Sequence, residues 1–275
     1  MGQVDLHVHT TASDGYYSPR QVVEMAVELG IRVLAIADHD STDGVAEAQR
    51  AAEATSLEVI PAVEINAEFA RTELHVLGYY VDYQSPWLQS VLGRLRDSRL
   101  ARAQQMVRKL TAIGFPLAWG QVAEIAGEGS AIGRPHIAQA MLERGYVNSI
   151  EEAFLRYIGR GGPAYMERFK LTPAEAVRLI RKVGGVPVLA HPLGVMDVIP
   201  DLVRVGLAGL EAYYSGYSAE ETQFLLAQAT RYRLLVTGGS DFHGGSVMPE
   251  IQLGSVDVPP SVVEELKKHW QGKHK

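Results

Sequence analysis

The chain has 275 residues, of which 47% are hydrophobic, and its formal net charge is −6 at pH 7. A chain of this length and apolar content can bury a large core, so disorder is not the default interpretation. It has no cysteine, so disulfides and cysteine nucleophiles are excluded and any metal ion must have nitrogen and oxygen ligands. Because no apolar run has the length of a membrane span and a polar segment begins within seven residues, we expect a cytoplasmic protein without a signal peptide.

Seven short apolar, β-branched runs predict buried strands. Helical patterns follow most of these runs, and this alternation predicts an α/β protein with a mostly parallel sheet. The number of repeats favours closure into a barrel, and an open doubly wound sheet is the alternative. The predicted strands cover residues 4–8, 33–37, 57–63, 74–80, 186–190, 207–213 and 233–237.

Capping boxes of the form Ser/Thr-x-x-Glu/Gln predict where four helices begin, because each residue of the pair can satisfy a backbone amide of the other. The four boxes are Ser18 to Gln21, Thr172 to Glu175, Ser218 to Glu221 and Ser261 to Glu264.

The alternation of strands and helices breaks at about residue 86, and helical patterns continue to about residue 158. We therefore expect a barrel domain of residues 1–87 and 166–275, with an α-helical insertion of residues 88–165 that covers the active site. Residues 88–170 carry 12 Lys/Arg against 7 Asp/Glu, whereas the rest of the chain carries 14 against 25. The basic segment is either ordinary solvated helix surface or a positive wall that steers an anionic substrate toward an acidic metal centre.

His7 and His9 are one residue apart in the first predicted strand, so their side chains share one face and can hold a single cation. Taken alone, this pair fits a hydrogen-bonded structural role equally well. Further histidines and carboxylates lie mostly at or just after the carboxyl ends of the predicted strands, where barrels of this type assemble their active sites. Together they predict a multinuclear site for Mn, Fe or Zn, whose further candidate ligands are Asp14, His39, Glu64, His75, His191, Asp241 and His243.

Three motifs carry a resemblance to a known family: the His-x-His near the start, the Asp-His after the second predicted strand, and the Asp-Phe-His near the end. With them, nearly the whole chain resembles the PHP (polymerase and histidinol phosphatase) superfamily of metal-dependent phosphoesterases. It is most similar to the branch that dephosphorylates nucleotides, including nucleoside 3′,5′-bisphosphates, some members of which also trim short RNA from the 5′ end. The resemblance implies a distorted seven-stranded, TIM-like barrel with a helical insertion.

The resemblance also implies two or three divalent metal ions and a set of ligands for three positions. Glu64 would bridge the first two positions, which suits a carboxylate because it has two oxygens. The first position would be held by His7, His9, Glu64 and Asp241, the second by Glu64, His75 and His191, and the third by Asp14, His39 and His243. Asp38 and Asp40 flank His39, and either could orient its ring, while Asp40 could equally cap the next helix.

The implied reaction follows from the charges of such a centre. A water between two dications yields hydroxide near neutral pH, and this hydroxide attacks phosphorus while the ester oxygen leaves. No phosphoenzyme is needed, since the chain has no cysteine and no evident serine nucleophile motif. Asp241, His191 and His243 are the candidate catalytic residues, and either histidine or a metal-bound water could protonate the leaving oxygen.

The predicted insertion contains the motif Gly133-Arg134-Pro135-His136, which in the resembling branch faces the substrate phosphate. The planar guanidinium of Arg134 matches phosphate geometry, and His136 offers a second donor. Arg160, in a glycine-rich stretch, is a weaker candidate for the same role. The alternative for Arg134 is a solvent-facing position at the start of a helix.

The sequence therefore predicts a metal-dependent phosphoesterase that acts on phosphate monoesters of small metabolites, above all nucleoside 5′-monophosphates or 3′,5′-bisphosphates. Alternatives in the same class are a histidinol-phosphate phosphatase and a 5′-3′ exonuclease on short RNA. Two alternatives belong to other classes. One is a non-catalytic metal- or nucleotide-binding module. The other is an amidohydrolase, against which the sequence shows no apparent metal-bridging lysine motif. We expect a small phosphorylated substrate or a short oligoribonucleotide, no membrane contact and no obligate protein partner.

Overall fold

The computed structural model describes residues 2–70, 72–127, 132–167, 169–245 and 248–273. Contacts between Cα atoms divide the chain into two compact units. The first unit consists of Met1–Gln89 and Lys170–Lys275, and the second of Ser90–Phe169. Each unit has its own apolar core.

The first unit is built on one seven-stranded sheet whose strands lie in chain order. Its edges approach each other, because the backbone N–H of His9 donates to the carbonyl of Phe242 and that of Asp241 to the carbonyl of His7, both at 2.9 Å. The predicted α/β fold with a distorted, nearly closed seven-stranded barrel is thus confirmed. The strands are β1 (Val4–Val8), β2 (Val33–Ile36), β3 (Glu58–Phe69), β4 (Thr72–Tyr79), β5 (Val186–Leu189), β6 (Gly209–Tyr214) and β7 (Leu235–Gly239).

Strand β4 runs antiparallel to both of its neighbours, while all other neighbouring strands are parallel. The sequence predicted that β3 ends near Val63, but β3 continues to Phe69, where it pairs with Thr72 of β4. The extra residues of β3 form the ladder with β4, so no helix separates the two strands. The amino end of β4 consequently lies at the same edge as the carboxyl ends of the parallel strands, which we call the carboxyl edge.

Helices surround the sheet of the first unit, and the predicted capping boxes at Ser18, Thr172 and Ser218 are present. The fourth predicted box is wrong, because Ser261 is itself the first residue of its helix. The helices within the described residues are α1 (Pro19–Glu28), α2 (Val45–Ala52), α3 (Pro86–Ala112), α4 (Trp119–Ala126), α5 (Arg134–Glu143), α6 (Ile150–Ala153), α7 (Pro173–Lys182), α8 (Ile199–Val205), α9 (Ala219–Tyr232) and α10 (Ser261–Lys273). Phe154–Ile158 forms a π-helical turn, and Pro192–Val198 is 3₁₀-helical.

Strand β1 is buried on both faces, as expected for a parallel strand covered by helices. Its apolar side chains pack in cores that include residues of the surrounding helices, such as Val22 of α1. Its polar side chains point the other way: His7 contacts Glu64 of β3 and Glu211 of β6, which are not on neighbouring strands. The polar face of β1 therefore lines the interior of the barrel.

The second unit is helical and has a separate core formed by α3, α4, α5 and the following π-helical turn. Its most deeply buried residues include Met106, Leu110, Val122, Ile137 and Met141. No helix in the described part of the chain is long and apolar enough to cross a membrane.

Candidate metal centre

Imidazole and carboxylate groups converge at the carboxyl edge of the barrel in three overlapping groups. Within each group the potential ligand atoms lie within 4.8 Å of one another. The first group contains His7, His9, Glu64 and Asp241; the second His39, Glu64 and His75; the third His9, Asp14, His39 and His243.

The first of these groups has the same members as the set implied for the first metal position. In the second, His39 stands where His191 was expected, and in the third, His9 joins the three expected residues. The Nε2 atom of His191 nevertheless lies 3.4 Å from Glu64 Oε1, so this ring borders the second group. The structure thus brings all nine candidate metal ligands of the barrel into one cluster.

Glu64 lies at the centre of the cluster and is fully buried. Its Oε2 atom is 3.3 Å from Nε2 of both His7 and His9 and 2.9 Å from Nδ1 of His39. Its Oε1 atom faces the other side, 3.0 Å from Nδ1 of His75. Each oxygen of the Glu64 carboxylate therefore lies next to a different set of imidazoles, which is the arrangement that a ligand bridging two metal ions requires.

His75 reaches the cluster because β4 is antiparallel. It is the fourth of the eight residues of its strand, whereas His7 lies near the carboxyl end of β1 and Asp241 follows β7. The antiparallel direction brings the amino end of β4 to the carboxyl edge, where His75 pairs with Asn66 in the ladder with β3. The position of this histidine early in its strand is thereby explained.

Several buried atoms of the cluster have no hydrogen bond of acceptable geometry within the described residues. A buried polar atom without a partner costs free energy, so such a concentration of them indicates a cation-binding site. Their chemistry, imidazole nitrogen and carboxylate oxygen, fits Mn, Fe or Zn. The atoms are His7 Nε2, His9 Nδ1 and Nε2, Asp14 Oδ1, His39 Nδ1, Glu64 Oε2 and His75 Nδ1.

The pKa values in the cluster reflect a competition between burial and opposite charge. Burial opposes the charged form of His9, but Asp241 and Glu64 outweigh it and raise the pKa of this ring to about 10. Burial also opposes the carboxylate form of Glu64, yet the surrounding histidines hold the pKa of Glu64 well below its usual range. For His39 burial prevails and lowers the pKa. A metal cation must displace protons from such rings, so metal binding and proton release are coupled.

Two residues of the cluster adopt left-handed backbone conformations. His191 has φ 29° and ψ 59°, and Asp241 has φ 58°. Such conformations cost a non-glycine residue about 1–3 kcal/mol and persist only where the surroundings enforce them. The turns after β5 and β7 are therefore strained at the positions that aim these two side chains at the carboxyl edge.

Two residues that the sequence did not single out for this role hold the cluster in place. Glu211 is fully buried, accepts a hydrogen bond at Oε1 from His7 Nδ1 (2.9 Å) and accepts the backbone N–H of His191 at Oε2 (2.9 Å). Tyr214 donates from its hydroxyl to Asp241 Oδ2 at 3.0 Å. The available signal was Glu211 itself, a lone acidic residue in an otherwise apolar predicted strand.

The carboxylates of Asp38 and Asp40 bind other groups than the His39 ring. Asp38 accepts hydrogen bonds from the backbone and hydroxyl of Thr10 and from the hydroxyl of Ser13. Asp40 accepts from the backbone and side-chain amides of Asn66. Asp40 does not cap α2, because the N-cap of that helix is Gly44. Both aspartates thus fix loops at the carboxyl edge.

The predicted phosphate-binding residues all lie in the second unit. Arg134 is the first residue of α5, and its guanidinium lies over the Phe154 ring at 5.4 Å. His136 accepts the backbone N–H of Gly133 at Nδ1. Arg160 lies 3.8 Å from a carboxylate oxygen of Glu167. Their contact with substrate stays a prediction.

Comparisons with known proteins give a consistent picture along nearly the whole chain. The profile of the PHP domain family matches residues 5–169. A 5′-3′ exoribonuclease from Haemophilus influenzae is 33% identical over 96% of this chain and 98% of its own length. A 3′,5′-nucleoside bisphosphate phosphatase from Chromobacterium violaceum is 31% identical over 94% of each chain. A solved structure from Bifidobacterium adolescentis, assigned as a metal-dependent phosphoesterase, has a TM-score of 0.83 and 34% identity, covering 96% of this chain and 94% of that one.

Proposed function

This chain belongs to the PHP domain family, and from that premise we propose that it is a metal-dependent phosphoesterase that removes phosphate from nucleotides. Relatives named as a bisphosphate phosphatase and an exoribonuclease, each similar over nearly its full length, support phosphoester hydrolysis as the reaction class. The proposed substrates are nucleoside 5′-monophosphates or 3′,5′-bisphosphates. Since these are intracellular metabolites, the proposal includes a cytoplasmic location.

The observation that carries this proposal is the position of Glu64 between separate groups of imidazoles. Its Oε2 atom faces the first ligand group, 3.3 Å from Nε2 of both His7 and His9, whereas its Oε1 atom faces the second group, 3.0 Å from Nδ1 of His75. A single ion would need only one such set. The overlap of three groups around shared residues supports a centre of two or three divalent ions, of which Mn, Fe and Zn are the candidates.

The proposed centre has three positions. The first ion is held by His7, His9, Glu64 and Asp241, and the second by Glu64, His39 and His75. The residues available to a third ion are His9, Asp14, His39 and His243. Such ions, when bound, lower the pKa of a coordinated water and neutralise phosphate oxygens. The protein contributes the fixed positions of the ligands. Tyr214 donates a hydrogen bond to Oδ2 of Asp241, so the other oxygen of this carboxylate, Oδ1, faces His7 and His9.

His191 is the proposed donor of a proton to the leaving oxygen. Its ring borders Glu64, yet it is a member of none of the three ligand groups found among the described residues. Its side chain is 26% exposed, against 6% for His243 and 10% for Asp241, the other two candidate catalytic residues. Accessibility to a substrate therefore favours His191 for proton transfer, while His243 and Asp241 serve as ligands.

Arg134 and His136 are the proposed contacts for the substrate phosphate, with Arg160 as a weaker third. Because His136 Nδ1 accepts the N–H of Gly133, the proton of a neutral ring sits on Nε2, which makes that nitrogen a donor suited to a phosphate oxygen. Arg134 offers a planar set of donors at the start of the same helix. The two side chains together supply the charge and the hydrogen bonds that a phosphate requires.

A phosphate-release panel with the metal-loaded protein tests the proposal. The panel contains AMP, adenosine 3′,5′-bisphosphate, histidinol phosphate and 5′-phosphorylated dinucleotides, and it is run beside elemental analysis of the same sample. We expect release from at least one of the two nucleotides. A metal-loaded protein that hydrolyses none of the four compounds would contradict phosphoesterase activity, and preference for histidinol phosphate would contradict the nucleotide assignment.

A second candidate function is 5′-3′ exonuclease activity on short RNA, which the similarity to the Haemophilus influenzae exoribonuclease favours. The same panel separates the two functions. An exonuclease converts a 5′-phosphorylated dinucleotide into mononucleotides, whereas a monoesterase releases only inorganic phosphate from it. Chromatography of the products distinguishes these outcomes.

A further inference from the structure

Strand β6 supplies no member of the three ligand groups among the described residues, yet its Glu211 touches two residues of the cluster. This carboxylate is fully buried in the barrel interior, where a charged group requires partners. Both of its oxygens have one: His7 Nδ1 lies 2.9 Å from Oε1, and the backbone nitrogen of His191 lies 2.9 Å from Oε2. Glu211 therefore connects β1 to the turn after β5.

We propose that Glu211 is a positioning residue that orients the His7 ring for metal binding and simultaneously fixes the turn that carries His191. The inference rests on the metal centre of the proposed function. An imidazole that donates Nδ1–H to a carboxylate has its lone pair on Nε2. Nε2 of His7 points to the ligand cluster, 3.3 Å from Glu64 Oε2 and 3.4 Å from Asp241 Oδ1.

The second oxygen of Glu211 acts on the backbone rather than on a side chain. His191 has φ 29°, a left-handed conformation that a histidine does not adopt without support. The hydrogen bond from its N–H to Glu211 supplies that support from inside the barrel. The same turn directs the His191 ring to within 3.4 Å of Glu64 Oε1. The carboxylate of Glu211 thus orients both His7, a candidate metal ligand, and His191, the candidate proton donor.

Only a carboxylate can satisfy both partners, because both of them are N–H donors. A glutamine of the same shape offers one acceptor oxygen and one NH₂ group. Whichever way its amide is turned, either His7 or the His191 backbone faces another donor. If Glu211 only filled space in the barrel, the isosteric glutamine would be tolerated; if it positions His7, the substitution disturbs the metal site.

The test measures Zn²⁺ affinity of the full-length protein by competition with a chromogenic chelator, with no substrate present. We expect Glu211→Gln to bind at least one ion about 10- to 100-fold more weakly than the wild type, as is typical when a carboxylate partner of a ligating histidine is lost. The matched control is Glu220→Gln, the same substitution at an exposed position at the start of α9, which should leave affinity unchanged. Wild-type affinity in Glu211→Gln would overturn the proposal.

A measurement on the wild type covers the case in which Glu211→Gln does not fold. In the Zn²⁺-loaded, ¹⁵N-labelled protein, NMR should show a His7 ring proton bonded to Nδ1 and protected from solvent exchange. A His7 ring without a proton on Nδ1 would overturn the role of Glu211 while leaving the metal centre in place. A wild-type chain that binds no Zn²⁺, Mn²⁺ or Fe²⁺ would instead overturn the proposed function, and this inference with it.

Discussion

At the scale of single residues, Glu64 is the residue on which the proposed multinuclear centre depends. It belongs to two of the three ligand groups, and its two oxygens face different histidines. In the barrel it occupies the middle of β3, three positions beyond Pro61, the last residue that pairs with β2. His39, which follows β2, forms a parallel bridge with Glu64, so Glu64 lies at the carboxyl edge while β3 continues beyond it.

Replacing Glu64 should therefore remove more than one ion. We expect Glu64→Gln to lose at least two metal ions per chain relative to the wild type, because an amide offers only one acceptor oxygen and no charge. Elemental analysis after gel filtration measures the loss. Glu58→Gln is the matched control, since Glu58 lies at the other end of β3 in a surface pair with Lys267. A full complement in Glu64→Gln would contradict its bridging role.

His9 and His75 should make the stability of the metal-free protein fall as the pH rises. Burial opposes charge on His9 and His75, but the carboxylates around them raise the pKa of His9 to about 10 and that of His75 to about 9. A pKa raised above the unfolded value of about 6.5 stabilises the fold fully below that pH and loses its effect as the pH rises through the folded pKa.

We therefore expect the free energy of unfolding of chelator-treated protein to decrease from about pH 6.5 to about pH 10, the interval between the unfolded and folded pKa values. Urea denaturation at a series of pH values measures it. The stabilisation added by metal should change in the opposite direction, since metal binds the neutral imidazole. A metal-free protein that becomes more stable over this interval would refute the charge balance described for the cluster.

At the scale of secondary-structure elements, the sequence predicted all seven strands but not their directions. Apolar, β-branched runs identify strands because they depend on local burial. The reversal of β4 depends on its antiparallel ladder with β3, which runs from the Ala62–Tyr79 pair to the Phe69–Thr72 pair and is not encoded by a local motif. Capping boxes can be predicted because the start of a helix depends on a few neighbouring residues, as at Thr172. The box predicted at Ser261 is wrong because the helix begins at Ser261 itself, whereas an N-cap residue precedes the helix.

The capping box of α7 offers a prediction at this scale. Thr172 accepts the backbone N–H of Glu175, whose side chain in turn accepts from the Thr172 backbone. Thr172→Ala should destabilise the protein by about 1 kcal/mol, measured by urea denaturation, without changing metal content. Thr230→Ala is the control, because Thr230 is an exposed residue inside α9, where alanine is the better helix former. Equal effects of the two substitutions would refute the assigned cap.

At the scale of the whole molecule, the proposed ligands and the proposed phosphate contacts belong to different compact units. All members of the ligand groups lie in the first unit, and Arg134, His136 and Arg160 lie in the second. This distribution predicts that metal binding and phosphate binding can be impaired separately.

Arg134→Ala should raise KM for a nucleotide substrate about 10- to 100-fold, which corresponds to the loss of hydrogen bonds to a charged group. Metal content should stay at the wild-type level. Arg144→Ala, at the other end of α5, is the control and should leave KM unchanged. Loss of metal in Arg134→Ala, or an unchanged KM, would contradict a role in phosphate binding.

The sequence revealed far more of the ligand cluster than of its support. Histidines and carboxylates at strand ends are rare enough to be recognised by type and spacing, as His7 and His9 were. Glu211 and Tyr214 were missed because their roles depend on which strands face each other across the barrel, which no local pattern encodes. The partners of Asp38 and Asp40 were missed for the same reason, since Thr10, Ser13 and Asn66 come from distant parts of the chain.

The central claim is that the cluster around Glu64 is a metal centre that hydrolyses phosphate esters. The most direct test measures inorganic phosphate released from adenosine 3′,5′-bisphosphate by the same protein sample before chelation, after chelation, and after Mn²⁺, Fe²⁺ or Zn²⁺ is restored. We expect release that chelation abolishes and a divalent ion restores. Release that persists in the metal-free protein, or no release from a protein with its full metal content, would contradict it.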